Sequence, residues 1–131
     1  MSPDDETAKL VTFWLDKADA ALASARAERS ARRIDFAVNR AYYAAFYAAS
    51  AALLHRGRTF TRHAGLRAAV HSELIKSGHV DPEWGRAFDR LFESRQRADY
   101  LAFGEFEQGE VEKLMADAAG FVSEMHALVR R

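Results

Sequence analysis

The stretch from Ile34 to Leu54 constrains the fold most, because apolar residues cover nearly the whole helical surface it would make. Ile34, Val38, Ala41, Ala45, Ala48 and Ala52 follow at alternating spacings of four and three, the period of one helix face. Phe36, Tyr43, Tyr47 and Leu54 mark a second face. A helix apolar on most sides has to be enclosed by other helices, and its alanines let those neighbours approach closely. This central helix is predicted over about residues 31–56, ended by Gly57 just past its C-terminus.

The remaining chain supplies the enclosing helices. Its two prolines both sit at helix starts. Ser2-Pro3-Asp4-Asp5 reads as N-cap, first helical residue and acidic first turn, and Asp81-Pro82-Glu83 repeats the pattern. Helix 1 is predicted over about 3–28 with a stripe at Leu10, Trp14, Ala18, Ala21 and Ala25. Helix 3 is short, about 64–77, ended by Gly78. Helix 4 covers 82 to about 101, and Phe103-Gly104-Glu105-Phe106 forms the next loop. Helix 5 covers about 108–129, with Val111, Leu114, Met115, Ala118, Val122, Met125 and Val129 in phase. No alternating strand pattern, internal repeat or low-complexity segment occurs. The expectation is an all-α, up-and-down helical bundle of four long helices plus one short helix, in a single domain over 1–131. Short loops make sequential helices antiparallel.

Composition narrows the setting. Cysteine is absent, which excludes disulfides and thiolate metal sites and makes the cytoplasm the default location. There is no run of 18 apolar residues, so no membrane span is expected. The acidic start lacks the basic region of a secretory signal. The formal net charge is zero, but residues 26–67 hold nine arginines against two acids, and residues 81–124 hold eleven acids against five bases. Arginine makes up fifteen of the nineteen basic residues, and its planar fork suits phosphate and carboxylate. Solvated helix faces account for such runs more readily than a dedicated polyanion surface does.

The residues that point to chemistry interrupt apolar faces. In helix 4 the stripe Trp84, Phe88, Leu91 continues into Arg95 and Asp99, one and two turns on. A charge on a buried stripe costs several kcal/mol unless it is paired or meets a partner. Arg95 and Asp99 can pair within the helix. Alternatively, Arg95 steadies phosphate oxygens while Tyr100 orients a ribose hydroxyl. Arg97 lies beside them. In helix 2, Asn39 and Arg40 break an aromatic segment containing Tyr42, Tyr43 and Tyr47. They either satisfy buried groups and snorkel or join Arg95 in an electropositive pocket. Thr61-Arg62-His63 opens helix 3, where free backbone N–H groups, helped by Arg62 and Arg67, either receive ordinary caps or hold an anion. The five histidines lack zinc-protease spacing, and neither a Gly-rich phosphate loop nor a Gly-x-Ser-x-Gly elbow is present. No metal and no cofactor are expected.

Three segments in this order, Asn39-Arg40-Ala41-Tyr42-Tyr43-Ala44-Ala45-Phe46, Thr61-Arg62-His63-Ala64-Gly65-Leu66 and Arg95-Gln96-Arg97-Ala98-Asp99-Tyr100, resemble the HEPN superfamily. More narrowly they resemble its small stand-alone prokaryotic proteins with an Arg-x-x-Ala-Asp-Tyr ending. The likeness spans roughly residues 5–130. It implies a helical bundle that forms a homodimer with a composite cleft. It also implies a small nucleotidyltransferase antitoxin as partner, able to adenylylate a tyrosine in such a motif. Active HEPN ribonucleases work without metal and carry Arg, four to six residues, then His. Here Arg95 matches the arginine, and the histidine positions hold Tyr100, Leu101 and Ala102. Three readings follow. One is a dimeric module binding a nucleotide, RNA or a nucleotidyltransferase through Asn39, Arg40, Tyr43, His63 and Arg97. Another is a metal-independent ribonuclease toxin using Arg95, Asp99 and Tyr100. The third is a structural bundle in which Arg95 and Asp99 specify the fold.

Overall fold

The computed structural model describes residues 3–100 and 105–131. They form α1 (Pro3–Ser30), α2 (Ile34–His55), α3 (His63–Ala69) running on into a π-helical turn (Val70–Ile75), α4 (Pro82–Tyr100) and α5 (Gln108–Arg130). No strand occurs among the described residues, and the chain is an all-α bundle as its periodicity requires. The expectations for Ser2, for Leu101 and Ala102, and for Phe103 and Gly104 lie outside the described residues. Among the described residues no helix is long and apolar enough to cross a membrane.

Specific pairs fix the helix directions. Trp14 of α1 stacks on Tyr47 of α2, and Val11 clusters with Ala51 further along α2, so α1 and α2 run antiparallel. Asn39 near the start of α2 bonds Asp99 near the end of α4, while Tyr42 packs on Phe88 and Phe92 further back along α4. Between α4 and α5, Arg97 pairs with Glu110 and Arg90 with Asp117, again antiparallel. Arg29 with Glu112 and Asp19 with His126 close the ring between α1 and α5. The helices therefore alternate in direction around α2.

The core follows from α2. Ala37, Val38, Ala41, Tyr42, Ala44, Ala45, Ala48, Ala49, Ala51, Ala52 and Leu53 are all buried, so α2 is enclosed as its composition demands. Two expected core positions are exposed instead. Leu10 faces outward, and α1 uses Val11, Leu15, Ala18, Ala21, Leu22 and Ala25. Apolar residues at 10, 11, 14 and 15 make a stripe wider than the buried seam, and the core takes its Val11–Leu15 edge. Phe36, in the first turn of α2, is exposed as well. The uneven charge of the sequence is partly spent internally: Arg29, Arg58 and Arg67 pair with Glu112, Glu73 and Asp89.

Turn chemistry sets the helix ends. Gly57 has φ +85°; its N–H donates to Leu54 O at 2.8 Å and that of Arg58 to Leu53 O at 2.9 Å, a Schellman closure. Gly78 likewise adopts positive φ, +86°, although the regular helix ends earlier than expected, at Ile75. The same closure after α1 falls on Arg32, a non-glycine residue at φ 63°. There Arg32 N donates to Arg29 O and Arg33 N to Glu28 O, both at 2.9 Å, which delays α2 to Ile34 rather than Ala31. A left-handed residue with a Cβ costs about 1–2 kcal/mol, and glycine returns roughly 0.5–1 kcal/mol of that as unfolded-chain entropy. Arg32→Gly is therefore expected to raise stability by about 0.5–1 kcal/mol, read by urea denaturation; a loss would show that the Arg32 side chain contributes more than its backbone strain costs.

Candidate functional site

α2, α3 and α4 meet at a cluster built on two adjacent tyrosines. Tyr42 and Tyr43 are successive residues on a buried helix, so their rings splay to either side of one seam and lie edge-on at 5.3 Å. The Arg95 guanidinium of α4 sits over both, 5.4 Å from the Tyr42 ring and 5.7 Å from the Tyr43 ring. Such placement over ring faces suits a cation within about 6 Å. Arg40, one turn back along α2, lies 5.2 Å from the other partner, Tyr43. Arg40 and Arg95 therefore both lie against the Tyr43 ring.

A polar chain locks the two cations. Arg95 Nε donates to Asp99 Oδ2 at 3.1 Å. Asn39 Nδ2 donates to both Asp99 oxygens at 3.2 Å. Arg40 Nε and Nη2 donate to Asn39 Oδ1 at 3.0 and 2.6 Å. The Arg95 side chain is only 13% exposed and that of Asp99 25%. Only Arg95 touches the carboxylate, and Arg40 reaches it through Asn39, so two guanidiniums stand against one carboxylate in this chain. Among the described residues neither Nη group of Arg95 has a hydrogen-bond partner.

His63 completes the cluster from the start of α3. Its Nδ1 is 2.8 Å from the hydroxyl of the fully buried Tyr42, and its ring is 4.6 Å from that of Phe46 and 5.7 Å from Tyr43. Burial and then the Arg95 charge push the His63 pKa below its ordinary value, so the ring is neutral at pH 7. Burial pushes the Tyr42 hydroxyl far up, so it keeps its proton. One of the two groups donates to the other, and the His63 Nε2 is left without a hydrogen-bond partner among the described residues. The sequence names His63 as a candidate, but only the packing of α3 against α2 and α4 brings it to Arg95.

Other expected site residues lie elsewhere. Arg97 points to α5, with its two Nη groups 2.8 Å from the Glu110 oxygens, a further bond to the Glu105 carbonyl, and its guanidinium 3.9 Å from the Phe106 ring. Two residues on from Arg95, it occupies a different helix face. Tyr100 is 72% exposed at the end of α4 and joins no ring or hydrogen bond among the described residues. Arg67 does not serve an anion at the start of α3. It donates to Asp89 and Glu93 and covers Phe92, and α3 proper is only seven residues long. Among the described residues no three His, Asp or Glu side chains converge as a metal site would need.

Sequence reasoning missed two polar features. The π-helical turn brings His71 Nε2 to 2.9 Å from Asp89 Oδ1, the oxygen that also accepts from Arg67 Nε at 2.8 Å. Burial alone would raise the Asp89 pKa, but the bonds from His71 and Arg67 outweigh it, and the carboxyl lies below its usual range. Asp117, buried on α5, is described below. The depressed His63 and Asp89 pKa values both favour the folded state at neutral pH. His63 contributes stability above the unfolded histidine value of about 6.5, lost as pH falls below it. Asp89 contributes above the unfolded carboxylate value of about 3.9, lost as pH falls through its lower folded value. Stability should therefore decline in two steps on acidification. A His63→Phe variant should lose the upper one, as followed by thermal melts between pH 7.5 and 4; an unchanged profile in that variant would reject the assignment.

The all-α bundle is of the kind that HEPN domains form. The HEPN domain model matches residues 11–128, and the chain belongs to that family. It is 37% identical over 125 residues to a Thermotoga maritima protein named "UPF0332 protein", covering 95% of each chain. Two Methanocaldococcus jannaschii proteins are also similar. "Putative toxin MJ0142" is 32% identical over 101 residues, 77% of this chain and 69% of its own, and "Putative toxin MJ0605" is 33% identical over 86 residues, 66% of this chain and 63% of its own.

Proposed function

We propose that the Arg40–Arg95 cluster binds the phosphate backbone of RNA, in a cytoplasmic, homodimeric HEPN module of the toxin type. The observation that carries this is the sheltered Arg95 guanidinium. It sits 5.4 and 5.7 Å from two tyrosine ring centroids, its Nη groups have no hydrogen-bond partner among the described residues, and a second guanidinium lies against the same Tyr43 ring. A partly desolvated cation attracts a phosphate more strongly than one in bulk water, and the toxin names of two relatives support the setting. Asn39, Arg40, Tyr43 and His63 line this place, while Arg97 serves the α4–α5 contact. A small nucleotidyltransferase is the antitoxin partner in this reading, and the exposed Tyr100 is accessible to it.

One observation favours a second reading, metal-independent ribonuclease activity. A neutral imidazole with an unpartnered Nε2 stands beside Arg95, although the motif position reached after four intervening residues is Tyr100. If Nδ1–H donates to the Tyr42 oxygen, Nε2 is the lone pair that accepts a ribose hydroxyl proton. Labelled RNA incubated with the protein in EDTA separates the outcomes. Retention on a filter without cleavage supports the binding module. Cleavage supports the ribonuclease. Neither retention nor cleavage overturns both and leaves the structural bundle.

A further inference from the structure

On the far side of Phe46 from the cluster lies a cavity of about 210 Å³ between α1, α2 and the loop before α3. Trp14, Phe46, Leu54 and Phe60 make its apolar walls, and Thr59 and Thr61 stand at its polar edge. The volume falls below the roughly 300–1,000 Å³ of sites for drug-sized ligands; it suits a single flat ring system. Phe46 is a shared wall. Its ring is 4.6 Å from His63 and 6.0 Å from Tyr42, and Tyr42 lies under the Arg95 guanidinium.

We infer that this cavity is a base subsite for single-stranded RNA whose backbone lies on Arg40 and Arg95. This rests on the RNA-binding reading above and adds where an unpaired base goes. Unpaired bases are recognised by stacking on aromatic side chains and by hydrogen bonds to their edges. The cavity is walled by aromatic side chains from α1, α2 and the loop, with the Thr59 and Thr61 hydroxyls able to donate or accept. Its surroundings have the sign a strand requires. Arg40 and Arg95 lie past Phe46. On the other flank Lys17 Nζ sits 4.7 Å from the Tyr47 ring and 5.3 Å from the Trp14 ring. Arg58 over Phe60 is neutralised by Glu73 at 3.0 Å, so it shapes the wall rather than adding charge. A strand that places one base in the cavity brings a neighbouring phosphate to the cluster. A base-paired strand cannot, because its bases are stacked inward.

The two tryptophans make the test direct. Trp84 packs against Gly120 of α5, away from the cavity, so Trp84→Phe leaves Trp14 as the sole indole reporter. An oligouridylate octamer is expected to quench Trp14 emission and to bind at least tenfold more tightly than an octamer of the same backbone lacking bases. Phe60→Ala should remove about tenfold of the octamer's affinity. Equal binding of the abasic strand, or binding without a Trp14 response, would overturn the base subsite while leaving the phosphate site standing. Uridine monophosphate binding as tightly as the octamer would overturn the assignment to a strand. A Trp14 signal that follows protein concentration instead of RNA would make this face a contact between copies and also overturn it. Failure of the intact protein to bind any strand would reject the RNA reading itself.

Discussion

Replacing Asp117 by alanine is expected to lower the free energy of unfolding by about 2–4 kcal/mol. Its side chain is 3% exposed on the core side of α5. Arg90 of α4 grips it with a fork, Nε to Oδ2 at 2.8 Å and Nη2 to Oδ1 at 3.0 Å, and Lys113 Nζ lies 3.2 Å from Oδ1. The hydrogen bond that Arg90 donates to Asp117 raises the Arg90 pKa, so the cation stays charged throughout the accessible range. Removing one partner of a buried pair costs about 3–5 kcal/mol when the other charge remains stranded. Here the Arg90 and Lys113 side chains are 37% and 56% exposed and can return to water, which trims the figure. Asp117→Leu should cost less, because the same cations hydrate and the cavity is filled. Urea unfolding followed by circular dichroism measures both. A loss under about 0.5 kcal/mol for the alanine variant, the scale of a surface substitution, would show that the clamp does not hold α4 to α5.

Why Asp117 escaped the sequence reading shows which features a one-dimensional pattern can carry. The α5 stripe Val111, Leu114, Met115, Ala118, Val122, Met125 is buried as expected, and Asp117 falls on the edge of that face, where a polar residue ordinarily reaches solvent. Its burial depends on Arg90 arriving from another helix, and no pattern within α5 encodes that. The same holds for α1, where apolar residues at 10, 11, 14 and 15 permit two registers and only the docked partners choose Val11 and Leu15 over Leu10. Arg32 in a left-handed turn and the π-helical turn at Val70–Ile75 have no local signature either, since each is imposed by how the flanking helices pack. By contrast, the enclosed α2, the glycine closures at Gly57 and Gly78, and the proline start of α4 were legible because each depends on residues within a turn or two. The candidate site divides along the same line. Arg95 and Asp99 were visible as charges continuing a buried stripe, and Asn39 and Arg40 as breaks in an aromatic face. That Asn39 bridges Arg40 to Asp99, that His63 comes to rest on Tyr42, and that Arg97 turns away to Glu110 are consequences of tertiary packing.

Arg95→Ala is the substitution with the largest expected effect on function. Hydrogen bonds to charged groups contribute about 1.5–3 kcal/mol, so losing this guanidinium should weaken RNA binding by roughly 10–150-fold. Because the contact is to a phosphate, the loss should be similar for all single-stranded sequences. The slope of log affinity against log salt should shrink by about 0.7, the value for one phosphate contact on a single strand. Arg95→Lys separates charge from shape. An ammonium keeps the Coulomb attraction but lacks the planar fork that can donate to Asp99 and to a phosphate at once, so its affinity should fall between wild type and alanine with the salt slope preserved. Stability gives the counter-test. If Arg95 serves only to neutralise Asp99, the alanine variant will melt earlier and yet bind RNA with unchanged affinity and salt slope, and the phosphate site would then be wrong. A drop in affinity together with the reduced slope, in protein that still melts cooperatively, assigns the guanidinium to the ligand; Asn39 remains to hold the Asp99 carboxylate through both of its oxygens, which is why the fold should survive the change.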